Sequence, residues 1–166
     1  MIIRLARLTD IPQIMQLIAE VVPIMIASGN LQWDHNYPNS AVFTADINQE
    51  QLWVAEIDGQ IAGVSAITTD QEAEYAKIGW DIAETAIVTH RLAVSPHYRG
   101  QGVAAALLLQ AEHEALHRNI KTLHVDTNSN NQATQKLFPK LGYIYAGEID
   151  LEFRPGLRFF CYEKRL

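Results

Sequence analysis

The 166-residue sequence predicts one domain of the mixed α/β or α+β class. The length is typical of a single domain. Hydrophobic residues make up 48% of the chain and charged residues 19%, as in a folded globular protein. Strand-like and helix-like segments follow one another in the order β-α-α-β-β-β-α-β-α-β-β. We therefore expect residues 1–166 to fold together.

The first half of the chain is predicted to contain two helices and three strands. Asp10 or Thr9 can cap a helix whose apolar residues repeat every three or four positions, and Pro23 is expected to kink or end it. Asp58-Gly59 predicts a tight hairpin. The predicted strands are 2–6, Leu52–Ile57 and Gln60–Thr68, and the second helix is 41–49.

The second half is predicted to alternate strands and helices after an acidic loop at residues 70–84. Gly142 has the position of a residue that ends a helix. The predicted elements are strands at 86–94, 122–125, 143–148 and 157–163, a helix after residue 102 and a helix at 130–141.

Charge and cysteine content exclude several classes of function. Thirteen Lys and Arg against 19 Asp and Glu give a net charge of −6. Such a chain repels phosphate backbones, so no nucleic-acid partner is expected, although a local pocket could hold one phosphorylated ligand. The single cysteine, Cys161, excludes an internal disulfide and a multi-cysteine zinc site.

The sequence also predicts a cytoplasmic protein without a membrane partner. Residues 1–4 lack the pattern of a signal peptide. No apolar stretch was expected to reach the roughly 20 residues that a membrane span requires.

The most informative segment is the loop Arg99-Gly100-Gln101-Gly102 between a strand and a helix. Glycines allow successive backbone N–H groups to converge on one point, and a helix N-terminus adds positive partial charge. Arg99 can supply a fixed positive charge. The segment therefore predicts a phosphate or pyrophosphate site.

Three other interpretations of this loop compete. No lysine follows Gly102, so the Walker phosphate loop is excluded. The dinucleotide fingerprint G-x-G-x-x-A is present from Gly100 to Ala105, and Asp126 follows near the place of a ribose-binding acid. However, five residues separate Val94 from Gly100, and little chain remains after Asp126. Alternatively, the glycines only permit a sharp turn.

The wider pattern resembles a known family. His90-Arg91-Leu92-Ala93-Val94-Ser95-Pro96-x-x-Arg99-Gly100-x-Gly102-x-Ala104 is similar to the core motif of the GCN5-related N-acetyltransferases (GNAT). Asn131-x5-Leu137-Phe138-x-Lys140-Leu141-Gly142-Tyr143 resembles their second motif. Motif order, separation and element order all agree over nearly the whole chain. The resemblance implies a GNAT-like acyl-CoA N-acyltransferase fold, with a central mixed, mostly antiparallel sheet flanked by helices and strands splayed at the cofactor site.

By that resemblance, the co-substrate is acetyl-CoA and no metal is needed. Backbone amides from Arg99 to Ala104 would hold the pyrophosphate, and the main chain of Leu92 and Val94 would pair with the pantetheine arm. Asn131 would contact the pantetheine, or would instead cap a helix. The predicted cofactor residues are Leu92, Ala93, Val94, Arg99, Gly100, Gln101, Gly102, Val103, Ala104, Asn131 and Phe138.

His90 is the predicted catalytic base. The resemblance implies direct transfer to a primary amine of a small molecule or peptide. An imidazole with a pKa of about 6.5 is suited to accept the amine proton. A period-two strand places His90 on the same face as Leu92 and Val94. The alternative is a buried histidine held by a backbone carbonyl.

Phe138 departs from the family pattern. It occupies the position of the tyrosine that often protonates the leaving thiolate, and a phenylalanine has no such proton. Either another donor acts, such as Tyr143, Tyr145, Tyr162, a serine or water, or the thiolate leaves unassisted. The second hypothesis for function is therefore a domain that binds or senses acyl-CoA with little or no turnover.

The loop Gln32–Tyr37 is the predicted acceptor site. Trp33 and Tyr37 could form aromatic walls around an ammonium group, with Asp34 as its counter-charge; alternatively, the aromatic residues only anchor the loop. Tyr75 and Trp80 of the acidic loop are expected to cover the cleft in which the ligands would bind. The resemblance leaves monomer and homodimer open, and the acceptor unnamed.

Overall fold

The computed structural model describes every residue from Met1 to Leu166. It contains seven strands and four α-helices in the predicted order. The strands are β1 (Ile2–Leu5), β2 (Leu52–Ile57), β3 (Gln60–Thr68), β4 (Ile87–Val94), β5 (Thr122–Asn128), β6 (Ile144–Ile149) and β7 (Phe159–Arg165). The helices are α1 (Ile11–Ala27), α2 (Ser40–Asn48), α3 (Val103–His117) and α4 (Gln132–Lys140).

All seven strands form one sheet in the order β1-β2-β3-β4-β5-β7-β6. Every pair of neighbours is antiparallel except β4 and β5, which run parallel. Because the parallel pair needs a crossover, α3 connects β4 to β5 across one face of the sheet. The mixed, mostly antiparallel sheet flanked by helices is thus observed.

Helices cover both faces of the sheet. On one face, Ile14, Ile18 and Val22 of α1 and Phe43 of α2 pack against β2 and β3. On the other, the apolar stripe of α3 and Phe138 of α4 pack against β4, β5 and β7. Burial of these side chains is what specifies which face each strand residue occupies.

Helix α1 corrects two expectations. It does not end at Pro23 but continues to Ala27, because the exposed Pro23 forfeits only its own N–H bond while Val21 and Val22 remain buried in the core. The helical segment Leu8–Ala27 also has 20 residues apolar enough, by length and composition alone, to cross a membrane. Its packed face, however, is what the core helix of a folded domain also shows.

The predicted hairpin between β2 and β3 is confirmed. Asp58 and Gly59 have φ angles of 50° and 76°. A two-residue turn with both residues in the left-handed region matches the twist of the strands it joins. On its other edge, β3 pairs with β4.

Strands β4 and β5 separate at one end of the sheet. Their ladder has only the pairs Ile87↔Leu123, Val88↔His124 and Thr89↔Val125. Beyond it, residues 90–94 pair only with β3 and residues 126–128 only with β7. The chain therefore opens a gap in the middle of its own sheet, as the family resemblance predicted.

The 3₁₀ segment between β3 and β4 packs against the sheet and does not cover this gap. A 3₁₀ helix, Ala73–Ile78, inserts the fully buried Tyr75 against the sheet. Trp80 stacks on His124, with ring centroids 3.7 Å apart. Neither aromatic side chain lines the cleft, so the expectation that they cover it is wrong.

Candidate active site

A cleft of about 1180 Å³ occupies the gap between β4 and β5. It is lined by the loop before α3, the start of α4, and α1 with the loop that follows it. Its size is suited to an organic ligand larger than a single amine. The glycine loop, here called the loop end, differs in chemistry from the rest of the cleft.

The loop end is formed by main-chain donors. The backbone N–H groups of residues 99–105 have no hydrogen-bond acceptor in the protein. Gly100 and Gly102 have φ angles of 76° and 78°, a region that side chains rarely adopt, and Gly102 caps α3. A run of free N–H groups at a helix N-terminus is suited to an anion such as phosphate.

The predicted cofactor residues of this loop divide into main-chain and side-chain contributors. Arg99, Gly100, Gly102 and Ala104 line the cleft. Val103 also lines it, but its side chain is buried in the core, so only its N–H is available. Gln101 is exposed and is not among the lining residues. The backbone prediction therefore fits the geometry better than any side-chain role.

Leu92, Ala93 and Val94 line the cleft along the free side of β4. Leu92 and Val94 pack towards α3, whereas Ala93 packs in the cluster beneath α1. Because β4 lacks a partner on its β5 side here, its main chain is available to an extended ligand, in the manner of an added strand.

Asn131 and Phe138 lie on the opposite wall. Asn131 is the N-cap of α4, and its Oδ1 accepts from the Thr134 N–H at 3.3 Å. It also lines the cleft, so the two roles that the sequence left open are compatible. Phe138 is almost fully buried and presents only apolar surface to the cleft.

His90 lines the cleft, but on a different face from the one predicted. Ala66 pairs with His90 and Val64 with Ala93, so two residues of β4, Arg91 and Leu92, lie opposite the single residue Ser65 of β3. Arg91, with a φ angle of 53°, is at this bulge. The bulge breaks the period-two rule, so His90 does not share a face with Leu92 and Val94, and that prediction is wrong.

The environment of His90 determines its tautomer. Its Nε2 lies 2.9 Å from the Asp70 carbonyl oxygen, which can only accept. In the neutral ring Nε2 therefore carries the proton, and Nδ1, which has no partner in the protein, holds the free lone pair. Burial lowers the pKa of His90, while the charge of Asp126 opposes that effect. His90 is therefore a base that is neutral near pH 7.

Arg91 lies beside His90 and is already neutralised. Its Nε and Nη2 donate to the Asp46 carboxylate of α2, both at 2.8 Å, and its Nη1 donates to the Tyr37 hydroxyl at 3.3 Å. This pair ties the bulge of β4 to α2 and to the loop before it.

The structure does not bring the three predicted acceptor residues together in the cleft. Trp33 is buried in the core and Tyr37 half-buried, and both line the cleft. Asp34 is not among the lining residues. Its carboxylate accepts from the backbone N–H groups of Asn36 and Tyr37 and from Arg154. The geometry thus gives Asp34 a role in holding the loop, rather than beside an ammonium group.

Two carboxylates from outside the predicted acceptor loop Gln32–Tyr37 reach the cleft. Glu72 and Asp126 both line it, and neither forms an ion pair with Lys or Arg. Burial raises the pKa of each, and the charge of Asp126 adds to the effect on Glu72. The sequence signal for Asp126 was its position one residue beyond the predicted end of its strand. The only sequence signal for Glu72 was its place in the acidic loop at residues 70–84.

The suggested proton donors lie elsewhere. Tyr143 and Tyr162 are buried in the core, Tyr145 is exposed on β6, and none of the three lines the cleft. The tyrosines that line the cleft are instead Tyr37 and Tyr98, and Ser28 is its lining serine. Cys161 is fully buried, as expected of a core residue.

Comparisons with known proteins agree with this geometry. The family model for the acetyltransferase (GNAT) family matches residues 18–143. N-acetylaspartate synthetase from Danio rerio is 27% identical over 106 residues, which cover 64% of this chain and 34% of that protein. The chain thus spans about a third of the length of these synthetases. The N-acetyltransferase YesJ from Bacillus subtilis is 28% identical over 124 residues, 72% of this chain and 68% of YesJ.

Solved structures show the same fold. A GNAT-family acetyltransferase from Streptococcus agalactiae is 30% identical with a TM-score of 0.79, covering 99% of this chain and 95% of its own. The structure of yncA from Salmonella typhimurium, which contains acetyl-CoA, is 18% identical with a TM-score of 0.72, covering 100% and 94%. The dinucleotide-fold interpretation of the glycine loop is therefore wrong. With its family model matched, its sheet splayed at the expected strands and its glycine loop at the head of α3, the chain belongs to the GNAT family of acetyltransferases.

Proposed function

We propose that this protein is an acetyl-CoA-dependent N-acetyltransferase that transfers an acetyl group directly to a primary amine of a small molecule or peptide. The observation that carries the proposal is the row of free N–H groups at residues 99–105, at the mouth of a cleft that also contains His90. A phosphate site and a titratable base in one cavity are what this reaction requires.

The residues present fit a coenzyme A ligand. The N–H groups of residues 99–105 would bind its pyrophosphate, and the exposed Arg99 would add charge. The free side of β4 at Leu92 and Val94 would take the pantetheine arm. Bound acetyl-CoA supplies the thioester that is attacked. A neighbour of the same fold contains acetyl-CoA, which supports this choice.

His90 would remove the proton from the acceptor ammonium. Its Nδ1 lone pair accepts that proton, while its Nε2–H stays with the Asp70 carbonyl and holds the ring in place. Tyr37 and Tyr98 bring hydroxyl groups to the cleft that could protonate a leaving thiolate in place of the absent family tyrosine.

The charges of the cleft favour a cationic acceptor. Glu72 and Asp126 lack counter-ions, whereas Arg91 is bound by Asp46 and is not free to bind a carboxylate. The relatives named N-acetylaspartate synthetase are named for the acetylated form of an acidic amino acid. We infer that this chain instead prefers an amine without a neighbouring carboxylate.

The second candidate is an acyl-CoA-binding or sensing domain with little turnover, and Phe138 is the observation that favours it. The buried Phe138 has no proton to donate at the position of the usual tyrosine. Phe138→Tyr separates the two: a missing acid predicts a gain in turnover, whereas an acid supplied by Tyr37 or Tyr98 predicts none.

The decisive experiment measures release of free CoA thiol from acetyl-CoA against a panel of primary amines. Amine-dependent release above the hydrolysis background, greatest for cationic amines, supports the transferase. Binding of acetyl-CoA by calorimetry with no release across the panel favours the sensor. Failure to bind acetyl-CoA at all would overturn both.

A further inference from the structure

We propose that Asp126 is a positioning residue of this reaction: its carboxylate, fixed by the Tyr75 hydroxyl, provides the counter-charge for His90 when His90 accepts the amine proton. The inference rests on the proposed function of the same cleft. No feature of the family motifs identifies Asp126, because it lies outside both.

The splay of the sheet brings the two residues together. Thr89 and Val125 form the last pair of the parallel ladder, so His90 and Asp126 are the first residues beyond it on either side of the gap. Paired residues of neighbouring strands point to the same face of a sheet, and successive residues of one strand point to opposite faces. The side chains of His90 and Asp126 therefore both lie on the face opposite that of Thr89 and Val125. Both line the cleft.

A hydrogen bond from Tyr75 holds the carboxylate of Asp126 in place. The 3₁₀ helix buries Tyr75 completely, and its hydroxyl donates to Oδ2 of Asp126. The ring is held by an edge contact to Trp80 at 5.0 Å between centroids. A hydroxyl that donates to a carboxylate favours the ionised form of that carboxylate. The other oxygen of Asp126 has no protein partner.

The proton transfer leaves charge where Asp126 can compensate it. The ammonium N–H bond breaks, a bond forms between that proton and His90 Nδ1, and the amine keeps its electron pair for attack. The imidazole becomes an imidazolium, whose Nε2–H stays on the Asp70 carbonyl. A buried cation is costly without a counter-charge, and Arg91 on the same strand adds repulsion.

Other titratable groups face this pair from each packed element, and Asp126 is the carboxylate that directly follows the last pair of the ladder, as His90 does on β4. Burial lowers the pKa of His90, and the largest opposing influence is the charge of Asp126. The further groups are Asp70, Glu72 and Glu74 of the segment between β3 and β4, Arg91 of β4 and Cys161 of β7.

The test is an NMR titration of the His90 imidazole nitrogens in the full chain, assigned by loss of the signals in His90→Gln. Asp126→Asn removes the charge and keeps the shape, and we expect it to lower the His90 pKa by about 1 pH unit. Tyr75→Phe should shift it in the same direction by less. Glu72→Gln is the matched control, since it removes another cleft carboxylate, and it should shift His90 least. Asp126→Glu should keep the wild-type value.

An unchanged His90 titration in Asp126→Asn, or an equal shift in Glu72→Gln, would overturn the inference. A purely structural Asp126 would lower the melting temperature without moving His90. If Asp126→Asn does not fold, Tyr75→Phe alone gives the answer, because it too must move His90. The titration needs no acceptor, so it remains informative even if amine-dependent CoA release is not found, which would refute the proposed function instead.

Discussion

The two ends of the cleft are formed by different parts of the chain. At the loop end, the donors are backbone N–H groups of residues 99–105, placed by two glycines and the start of α3. In the part of the cleft that the proposed function assigns to the acceptor, the acceptor end, the titratable groups are the side chains of His90, Glu72 and Asp126, which come from separate elements. The first end is local in sequence, whereas the second exists only after the sheet has formed.

This difference determines how well each end of the cleft tolerates amino-acid substitution. A backbone site tolerates most side chains provided that the φ angles survive, so it can serve one constant ligand. A side-chain site changes with every substitution, so it is suited to a variable acceptor. The most sensitive positions are therefore expected to be glycines at one end and titratable residues at the other.

The largest effect is expected from His90→Ala. Loss of a general base costs about a thousandfold in kcat/KM, while acetyl-CoA affinity stays unchanged because the loop end is intact. His90→Gln is the matched control, since its amide can still donate to the Asp70 carbonyl without providing a base. Steady-state kinetics and calorimetry measure the two quantities. Full activity in both variants would show that the acceptor end does not use His90.

Gly102→Asp should weaken acetyl-CoA binding by about a hundredfold, because it places a carboxylate where the phosphate would lie. Gly102→Asn has nearly the same shape and a similar tolerance of positive φ, so it isolates the charge. We expect Asn to lose much less affinity than Asp in calorimetry. Equal losses would mean that backbone geometry, and not charge, dominates at the loop end.

The acceptor end should also make folding sensitive to pH. Burial lowers the pKa of His90, so below about pH 6.5 the unfolded chain takes up a proton that the folded chain does not, and stability falls. This contribution reaches at most about 1.4 kcal/mol per pH unit and is absent from His90→Gln. His124, whose pKa burial also lowers, affects both proteins alike. Urea unfolding at pH 7.5 and 5.5 measures the difference, and parallel losses would contradict it.

The smallest effect is expected from substitutions of Asn131. They test whether Asn131 only caps α4 or also contacts the ligand. Asn131→Ala removes the N-cap of α4 and should cost about 1 kcal/mol of unfolding free energy. Asn131→Ser keeps a cap and should cost little. If the amide also contacts the pantetheine, both variants should lose acetyl-CoA affinity equally. If only Ala loses affinity, Asn131 acts through the helix alone.

The acceptor side was the harder half to predict from sequence. His90 was identified, but its face was wrong because the bulge at Arg91 is not visible as a local signal. The sequence predicted Asp34 as the counter-charge of an ammonium group, yet backbone N–H groups and Arg154 hold it. The role proposed for Asp126 depends on its hydrogen bond with Tyr75, which lies 51 positions away in sequence.

The sequence by itself determined the element order, the hairpin at Asp58-Gly59 and the glycine loop that heads α3. These features depend on backbone preferences and periodicity within short segments, so local sequence is sufficient. Tertiary structure alone decided where β4 and β5 part, which face His90 occupies and which carboxylates stand beside it. Those outcomes depend on register between distant strands, and register follows from the burial of whole faces rather than from any one segment.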